Sequence, residues 1–69
     1  MEREYVQSSN LVSVGYDPDG QVLEIEFNGG RVYAYLNVPQ FEFDRLMAST
    51  SKGQYFNSQI KDAYVCERR

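Results

Sequence analysis

One short segment, residues 31–36, constrains the fold of this chain more than any other, because its side chains alternate in character. Successive side chains of a β-strand point to opposite faces, so a strand here would separate an aliphatic row from an aromatic row. The aliphatic row is Val32, Ala34 and Leu36, and the aromatic row is Tyr33 and Tyr35, flanked by Arg31 and Asn37. We expect one row to enter a core and the other to face a partner, and the alternation is compatible with either assignment.

Two turn sequences make this strand the third of an antiparallel meander. Asp17-Pro18-Asp19-Gly20 has Asp, Pro and Gly where a β-turn favours them. Asn28-Gly29 supplies the residues that a type I′ hairpin turn needs, because both central positions have positive φ. The strands that these turns connect are predicted at 11–16, 21–27 and 31–36, with one face packed and the other in water.

The first of these strands follows a lead-in whose Tyr5 and Val6 are apolar enough to dock or to pair. Alternation assigns the side chains of the strand to two faces: Val12, Val14 and Tyr16 on one, and Leu11, Ser13 and Gly15 on the other. A glycine in the middle of a strand indicates a bulge or a close approach of other atoms, and we expect one of these at Gly15.

The second strand has the clearest alternation in the chain. Its inward residues are Leu23, Ile25 and Phe27. Its outward residues, Glu24 and Glu26, form a carboxylate pair of the kind that glycosidases use. The solvated face of a hairpin is the more ordinary explanation of such a pair, and we favour it.

A helix is predicted at 39–48, because Pro39 suits the start of a helix. Its inward side chains, at spacings of three and four, are Phe43, Leu46 and Met47. A second, shorter helix is predicted at 53–60, with Ser51 as its N-cap and an apolar stripe. That stripe is Phe56 and Ile60, with Tyr55 alongside.

These elements predict an α+β fold in one domain that spans residues 1–69. It consists of a three-stranded antiparallel meander followed by one longer and one short helix. Residues 64–66 suit either a short C-terminal strand or an extended tail.

The residue inventory disfavours an enzyme and a bound metal or other cofactor. The chain has no histidine and a single cysteine, Cys66, so it offers neither a Ser-His-Asp arrangement nor the ligands of a zinc site. Residues 1–4 lack the basic start of a signal peptide, and no apolar run reaches the roughly 18 residues of a membrane helix. We therefore expect a soluble cytoplasmic protein that does not enter a membrane.

Charge is distributed unevenly along the chain. The net charge is −3, which argues against strong nonspecific binding of polyanions. Residues 1–44 carry eight acids and two bases, whereas residues 45–69 carry five bases and two acids. An anionic partner is therefore expected to meet the C-terminal third. Ser51-Lys52-Gly53 lacks the upstream glycines of a phosphate-binding loop, but a lysine at a helix start can still hold one phosphate.

The aromatic row suggests single-stranded RNA or tRNA as a partner. Several RNA readers stack bases on aromatic side chains of a sheet and hold the phosphates with nearby Arg or Lys. On this hypothesis Tyr33 and Tyr35 stand free in water and stack bases. The cations that contact phosphates are Arg31, Lys52, Lys61 and Arg68.

A second hypothesis is a protein-interaction module, including a homodimer, that uses the tyrosines or an open sheet edge. Tyrosine is enriched at protein interfaces, and an uncovered strand edge accepts another chain.

The ordered set of motifs resembles the KTSC domain family. The resemblance runs from about Tyr5 to Arg68 and includes the family's tyrosine-any-tyrosine motif at Tyr33-Ala34-Tyr35. The other matching pieces are Ser8-Ser9-Asn10-Leu11, Val14-Gly15-Tyr16-Asp17, Leu23-Glu24-Ile25-Glu26-Phe27, Val38-Pro39, Ser51-Lys52-Gly53, Tyr55-Phe56-Asn57 and Ile60.

The resemblance implies a domain that occurs at the C-terminus of some lysyl-tRNA synthetases and as short stand-alone bacterial proteins. RNA binding has been suggested for that family, and no catalytic residue is implied. The resemblance therefore favours a binding module over a catalyst.

Overall fold

Five antiparallel strands lie side by side in chain order, and two helices pack on one face of the sheet that they form. The computed structural model describes residues 1–69. The strands are β1 (Arg3–Tyr5), β2 (Leu11–Asp17), β3 (Val22–Phe27), β4 (Val32–Tyr35) and β5 (Cys66–Arg68). The helices, α1 (Gln40–Ala48) and α2 (Lys52–Tyr55), lie between β4 and β5 in the sequence. The predicted α+β class is confirmed.

The predicted meander is β2–β4, and the structure adds one strand at each edge. At one edge β1 pairs with β2, and at the other β5 pairs with β4. Of the two alternatives for the C-terminus the structure has the strand, but β5 is Cys66–Arg68, two residues later than the predicted 64–66. Both added strands have three residues, all exposed, so neither has the period-2 pattern by which a buried strand is recognised.

The turn between β3 and β4 differs from the predicted type I′ turn. Positive φ occurs at Gly29 (92°) and Gly30 (83°) and not at Asn28. The amide of Phe27 donates to the carbonyl of Arg31 at 2.7 Å, so the loop has three residues and not two. Asn28 instead uses its side-chain amide, which donates to the carbonyl of Ser9 at 2.8 Å. The type I′ prediction was wrong because Gly30 belongs to the loop.

The other predicted turn is confirmed. The carboxylate of Asp17 accepts a hydrogen bond from the amide of Asp19 at 3.1 Å, as the Asp at the start of such a turn should.

Strand β2 contains a bulge that the alternation did not predict. Leu11 pairs with Phe27 and Ser13 with Glu26, so the register shifts by one residue between them. The shift lets Leu11 and Val14 both enter the core, whereas simple alternation had put them on opposite faces. At Gly15 the close approach is confirmed, because a Cβ atom there would lie 2.8 Å from Cγ of Arg3.

The aromatic row of β4 faces the helices. Tyr35 pairs with Leu23, and Tyr33 pairs with Ile25, so these side chains share one face of the sheet. Tyr35 belongs to the core and is 5% exposed, whereas Tyr33 is half-buried at its margin. The core residues are Leu11, Val14, Leu23, Ile25, Tyr35, Val38, Leu46, Phe56 and Ile60.

The two helices bury the predicted residues, but the second helix changes type along its length. In α1, Leu46 is fully buried, and Phe43 and Met47 pack against the core. After α2 the chain continues as a π-helix, Phe56–Ile60, in which the amide of Lys61 donates to the carbonyl of Phe56 at 2.9 Å. The predicted stripe of Phe56 and Ile60 is buried as expected.

A buried carboxylate joins the helices to the C-terminal segment. Glu42, in the first turn of α1, is 9% exposed and accepts hydrogen bonds from the phenols of Tyr55 and Tyr64. The Tyr64 bond measures 2.8 Å. The pKa of Tyr64 is raised to about 12, chiefly by burial and secondly by the hydrogen bond to Glu42. The phenols therefore stay protonated and can donate at neutral pH.

The helices of the structure are also relevant to a membrane location. None of them has the length and apolar character that a membrane crossing requires.

Candidate functional site

A groove of about 390 Å³ opens between β4, β5 and the π-helix, and we call it the aromatic groove. Its volume lies at the lower end of the range of small-ligand pockets. Aromatic residues form its floor: Phe27, Tyr33, Tyr35 and Phe56. Polar residues form its rim, chiefly Arg31, Asn57, Lys61 and Asp62. Asn10 and Cys66 complete the lining.

The floor is a chain of rings in edge-to-face contact. Phe27 lies 5.8 Å from Tyr33 and 5.4 Å from Phe56, measured between ring centroids. Tyr35 contacts the other side of this chain, 5.3 Å from Phe56. Such aromatic pairs contribute more to stability than the burial of their apolar area alone. Phe56 thus packs between a residue of β3 and a residue of β4.

The two tyrosines of the floor differ in what they can offer a ligand. Tyr35 is almost wholly buried, so its ring faces are covered by protein. Burial raises its pKa to about 12, and the neighbouring Cys66 thiol adds to the shift. At neutral pH it is therefore a protonated phenol. Tyr33 is half-buried and has the more accessible ring.

The polar rim is unpaired within the protein. The side chains of Arg31, Asn57, Lys61 and Asp62 are exposed and make no hydrogen bond or ion pair with other residues. Long cationic side chains lose entropy when they are held, and nothing in the chain holds these. The groove therefore presents two cations, one carboxylate and one amide that have no partner within the protein.

The predicted cations are only partly brought together. Arg31 and Lys61 line the aromatic groove with Tyr33. Arg68 pairs with Tyr33 in the register of β4 and β5, so it lies on the same face of the sheet just outside the groove. Lys52 lies elsewhere: its ammonium donates to the carbonyl of Ser49 at 3.2 Å, which ties it to the connection between α1 and α2.

One feature of the predicted site needs correction. The hypothesis required both tyrosine rings to stand free in water, yet only Tyr33 is accessible and Tyr35 belongs to the core. The physical reason is the register of β4, which places Tyr35 opposite Leu23 at the centre of the helix-covered face.

The opposite face of the sheet is unlike the aromatic groove. Glu24 forms ion pairs with Arg3 and with Arg69, the latter at 3.7 Å. The hydroxyl of Ser13 donates to Glu26 at 2.9 Å. The carboxylate pair thus lies on the outward face of the hairpin, as the sequence indicated. Both carboxylates have partners within the protein.

Two groove residues were not identified from the sequence. Asn57 belongs to the Tyr55-Phe56-Asn57 motif but was not assigned to a site, and Asp62 belongs to no motif. The π-helix that contains Asn57 was not predicted. Glu42 was also missed. The available signal was its spacing, because Glu42 lies four residues before Leu46 and hence on the buried face of α1.

A five-stranded antiparallel meander with two helices on one face and an aromatic groove at its edge defines a small α+β domain. Residues 7–64 match the KTSC domain, and the chain belongs to that family.

Solved and curated relatives agree with this assignment. The crystal structure of a KTSC domain protein from Yersinia pestis superposes with a TM-score of 0.93 at 40% identity, and the match covers 99% of this chain and 96% of that one. A protein of Stutzerimonas stutzeri is 44% identical over 61 residues, covering 88% of this chain and 86% of its own. A lysine–tRNA ligase of a Nostoc species is 36% identical over 62 residues, which are 90% of this chain and 11% of the ligase.

Proposed function

We propose that this domain is a non-catalytic RNA-binding module that holds one unpaired nucleotide in the aromatic groove. Tyr33 stacks on the base, and Arg31 and Lys61 contact the flanking phosphates. The observation that carries the proposal is the meeting of one accessible aromatic ring with two unpaired cations in a single groove. Stacking on an aromatic ring beside basic side chains is the common way to bind single-stranded nucleic acid.

The similarity to lysine–tRNA ligases supports RNA as the partner. The matched region is 11% of the ligase, so it is a small part of an enzyme that is named for tRNA. A second ligase, from Trichormus variabilis, is 40% identical over 62 residues. A domain that is attached to such an enzyme and also exists as a separate chain fits a module that binds RNA on its own.

The acidic net charge is compatible with this proposal, because the acids and the groove cations lie apart. Glu24 and Glu26 point to the face opposite the groove, and Glu24 is neutralised by ion pairs. Only Asp62 brings a negative charge to the rim, against Arg31 and Lys61. Few phosphate contacts imply modest affinity and a shallow dependence on salt.

Fluorescence anisotropy with a labelled single-stranded RNA at low salt tests the proposal. Tyr33→Ala should weaken binding about tenfold or more, because stacking on one ring contributes roughly 1–3 kcal/mol. Arg31→Ala and Lys61→Ala should each weaken binding and lower the slope of log affinity against log salt by about 0.7.

Two matched variants serve as controls for these effects. Tyr5→Ala removes a tyrosine that is 84% exposed on β1, and Lys52→Ala removes a cation that is tied to Ser49 outside the groove. Both should bind RNA as the unaltered chain does. Equal losses from Lys52→Ala and Lys61→Ala, or no RNA binding by the unaltered chain, would refute the proposal.

A further inference from the structure

The rim of the aromatic groove holds two polar residues that the stacking model does not use, Asn57 and Asp62. Both line the groove, both are exposed, and neither has a partner within the chain. Asp62 lies among cations and still forms no ion pair with Arg31 or Lys61. A carboxylate repels phosphate and accepts hydrogen bonds when it is ionised. Its presence in this groove therefore favours a ligand that also brings hydrogen-bond donors.

Asn57 lies in the π-helix, and Asp62 lies in the turn that follows it. A π-turn closes hydrogen bonds between residues five apart, as the amide of Lys61 does with the carbonyl of Phe56. Asn57 lies one residue after Phe56 and Asp62 one residue after Lys61, and both line the aromatic groove. Such single π-turns occur frequently at functional sites.

The chemistry of this pair selects among the four bases. An aspartate only accepts hydrogen bonds when it is ionised, whereas an asparagine amide can donate and accept. The Watson–Crick edge of guanine has an acceptor, O6, followed by two adjacent donors, N1–H and the N2 amino group. Adenine, cytosine and uracil each present at most one donor group on that edge. Guanine is therefore the only base that offers a carboxylate two adjacent donors and, beside them, an acceptor for the amide.

We infer that the aromatic groove is specific for guanine, with Asp62 accepting from N1–H and N2–H and Asn57 donating to O6 while the base stacks on Tyr33. This inference rests on the proposed RNA-binding function. It makes Asp62 and Asn57 the specificity-determining residues and leaves Arg31 and Lys61 to the phosphates.

Short labelled oligouridylates that differ only at one central nucleotide test the inference by fluorescence anisotropy. The RNA with a central guanosine should bind about tenfold tighter than those with adenosine, cytidine or uridine, as a bidentate pair provides. Inosine lacks the N2 amino group but keeps O6 and N1–H, so its RNA should bind with intermediate affinity.

Asp62→Asn then tests the assignment of the carboxylate. This variant should bind the guanosine RNA more weakly and so lose most of the preference for guanosine over adenosine. The RNAs without guanosine should bind slightly tighter, because a negative charge has left the rim. Asp19→Asn changes the net charge equally in an exposed turn far from the groove, and it should keep the full preference.

The outcomes separate this inference from the proposed function. Equal binding of all central nucleotides, with Tyr33→Ala still harmful, overturns guanine specificity alone. A guanosine preference that survives in Asp62→Asn also overturns it. Failure of every RNA to bind overturns both, and a preference that disappears in Asp62→Asn but not in Asp19→Asn supports both.

Discussion

At the scale of single residues, Gly53 shows how packing reverses an ordinary helix preference. A glycine in a helix is usually less stable than alanine by about 0.5–1 kcal/mol. Gly53 lies in α2, yet a Cβ atom there would clash with Oδ1 of Asn10 and would be 2.9 Å from Oγ of Ser8. These two atoms hydrogen-bond to each other at 3.3 Å, and the amide of Leu11 donates to Ser8, so they are not free to withdraw.

We therefore predict that Gly53→Ala destabilises the protein, by about 1–3 kcal/mol, because overpacking outweighs the gain in helix propensity. Urea unfolding monitored by circular dichroism measures the change. Gln54→Ala, at the exposed next position of α2, should change stability by less than about 0.5 kcal/mol. A Gly53→Ala variant as stable as the unaltered chain would show that the contact with Asn10 relaxes at little cost.

At the scale of elements, Glu42 connects α1 to the two segments that carry the groove. Tyr55 ends α2, directly before the π-helix, and Tyr64 precedes β5. Both phenols donate to the same buried carboxylate. Hydrogen bonds to a charged group contribute about 1.5–3 kcal/mol, and an unpaired buried partner costs as much again. The carboxylate thus fixes where Lys61 and Asp62 lie without touching a ligand.

Removal of this connection should be costly and non-additive. We predict that Tyr64→Phe lowers the free energy of unfolding by about 1–2 kcal/mol and Glu42→Ala by about 2–4 kcal/mol. The double variant should lose less than the sum, because both single changes break the same hydrogen bond. Chemical denaturation of the four proteins measures the coupling, with Asp44→Ala, an exposed acid of α1, as control. Strictly additive losses would contradict a shared interaction.

The elements that the sequence predicts well are those with a buried periodic face. Strands β2–β4 and the apolar stripe of α1 are of this kind, and they were predicted with nearly correct bounds. Strands β1 and β5 have no buried face. Backbone pairing to a neighbouring strand holds them in the sheet, and a sequence pattern does not show such pairing. The π-helix closes its hydrogen bond between residues five apart, and no local pattern in the sequence marks that change.

The face of β4 illustrates why the site was harder to predict than the fold. A two-residue turn at Asn28-Gly29 would pair Ile25 with Val32 and send the aliphatic row into the core. The observed three-residue loop pairs Ile25 with Tyr33 and turns every side chain of β4 over. Sequence alternation defines two rows, but the length of one loop decides which row meets the helices.

At the scale of the whole molecule, the fold places several acids and the groove cations on opposite faces of the sheet. The acids Glu24, Glu26 and Glu67 share the outward face of the sheet, where Arg3 and Arg69 offset part of their charge. The helix-covered side carries the cations of the aromatic groove. A protein with a net charge of −3 thereby offers an anionic ligand one favourable side. Orientation, more than overall charge, determines how such a ligand approaches.

The phenols of the folded molecule also determine how its stability responds to alkaline pH. The pKa of Tyr35 and of Tyr64 is raised to about 12 from an ordinary value of 10.0, chiefly by burial. Between these two values the unfolded chain has released the protons that the folded chain still binds. Linkage then requires the free energy of unfolding to fall as pH rises through this interval, whereas below the ordinary value the contribution is fully present.

We predict that the free energy of unfolding declines by a few kcal/mol between about pH 10 and 12, since each unit of pKa difference corresponds to about 1.4 kcal/mol. Burial also raises the pKa of Tyr16 and of Tyr55, which adds to the decline. Urea unfolding at several pH values measures it, and the phenolate absorbance should rise late in the folded protein. Tyr64→Phe removes one of the titrating groups beside Glu42, so its stability should fall less steeply over the same interval. A free energy of unfolding that stays constant there would mean that these phenols are as accessible to hydroxide in the folded chain as in the unfolded one.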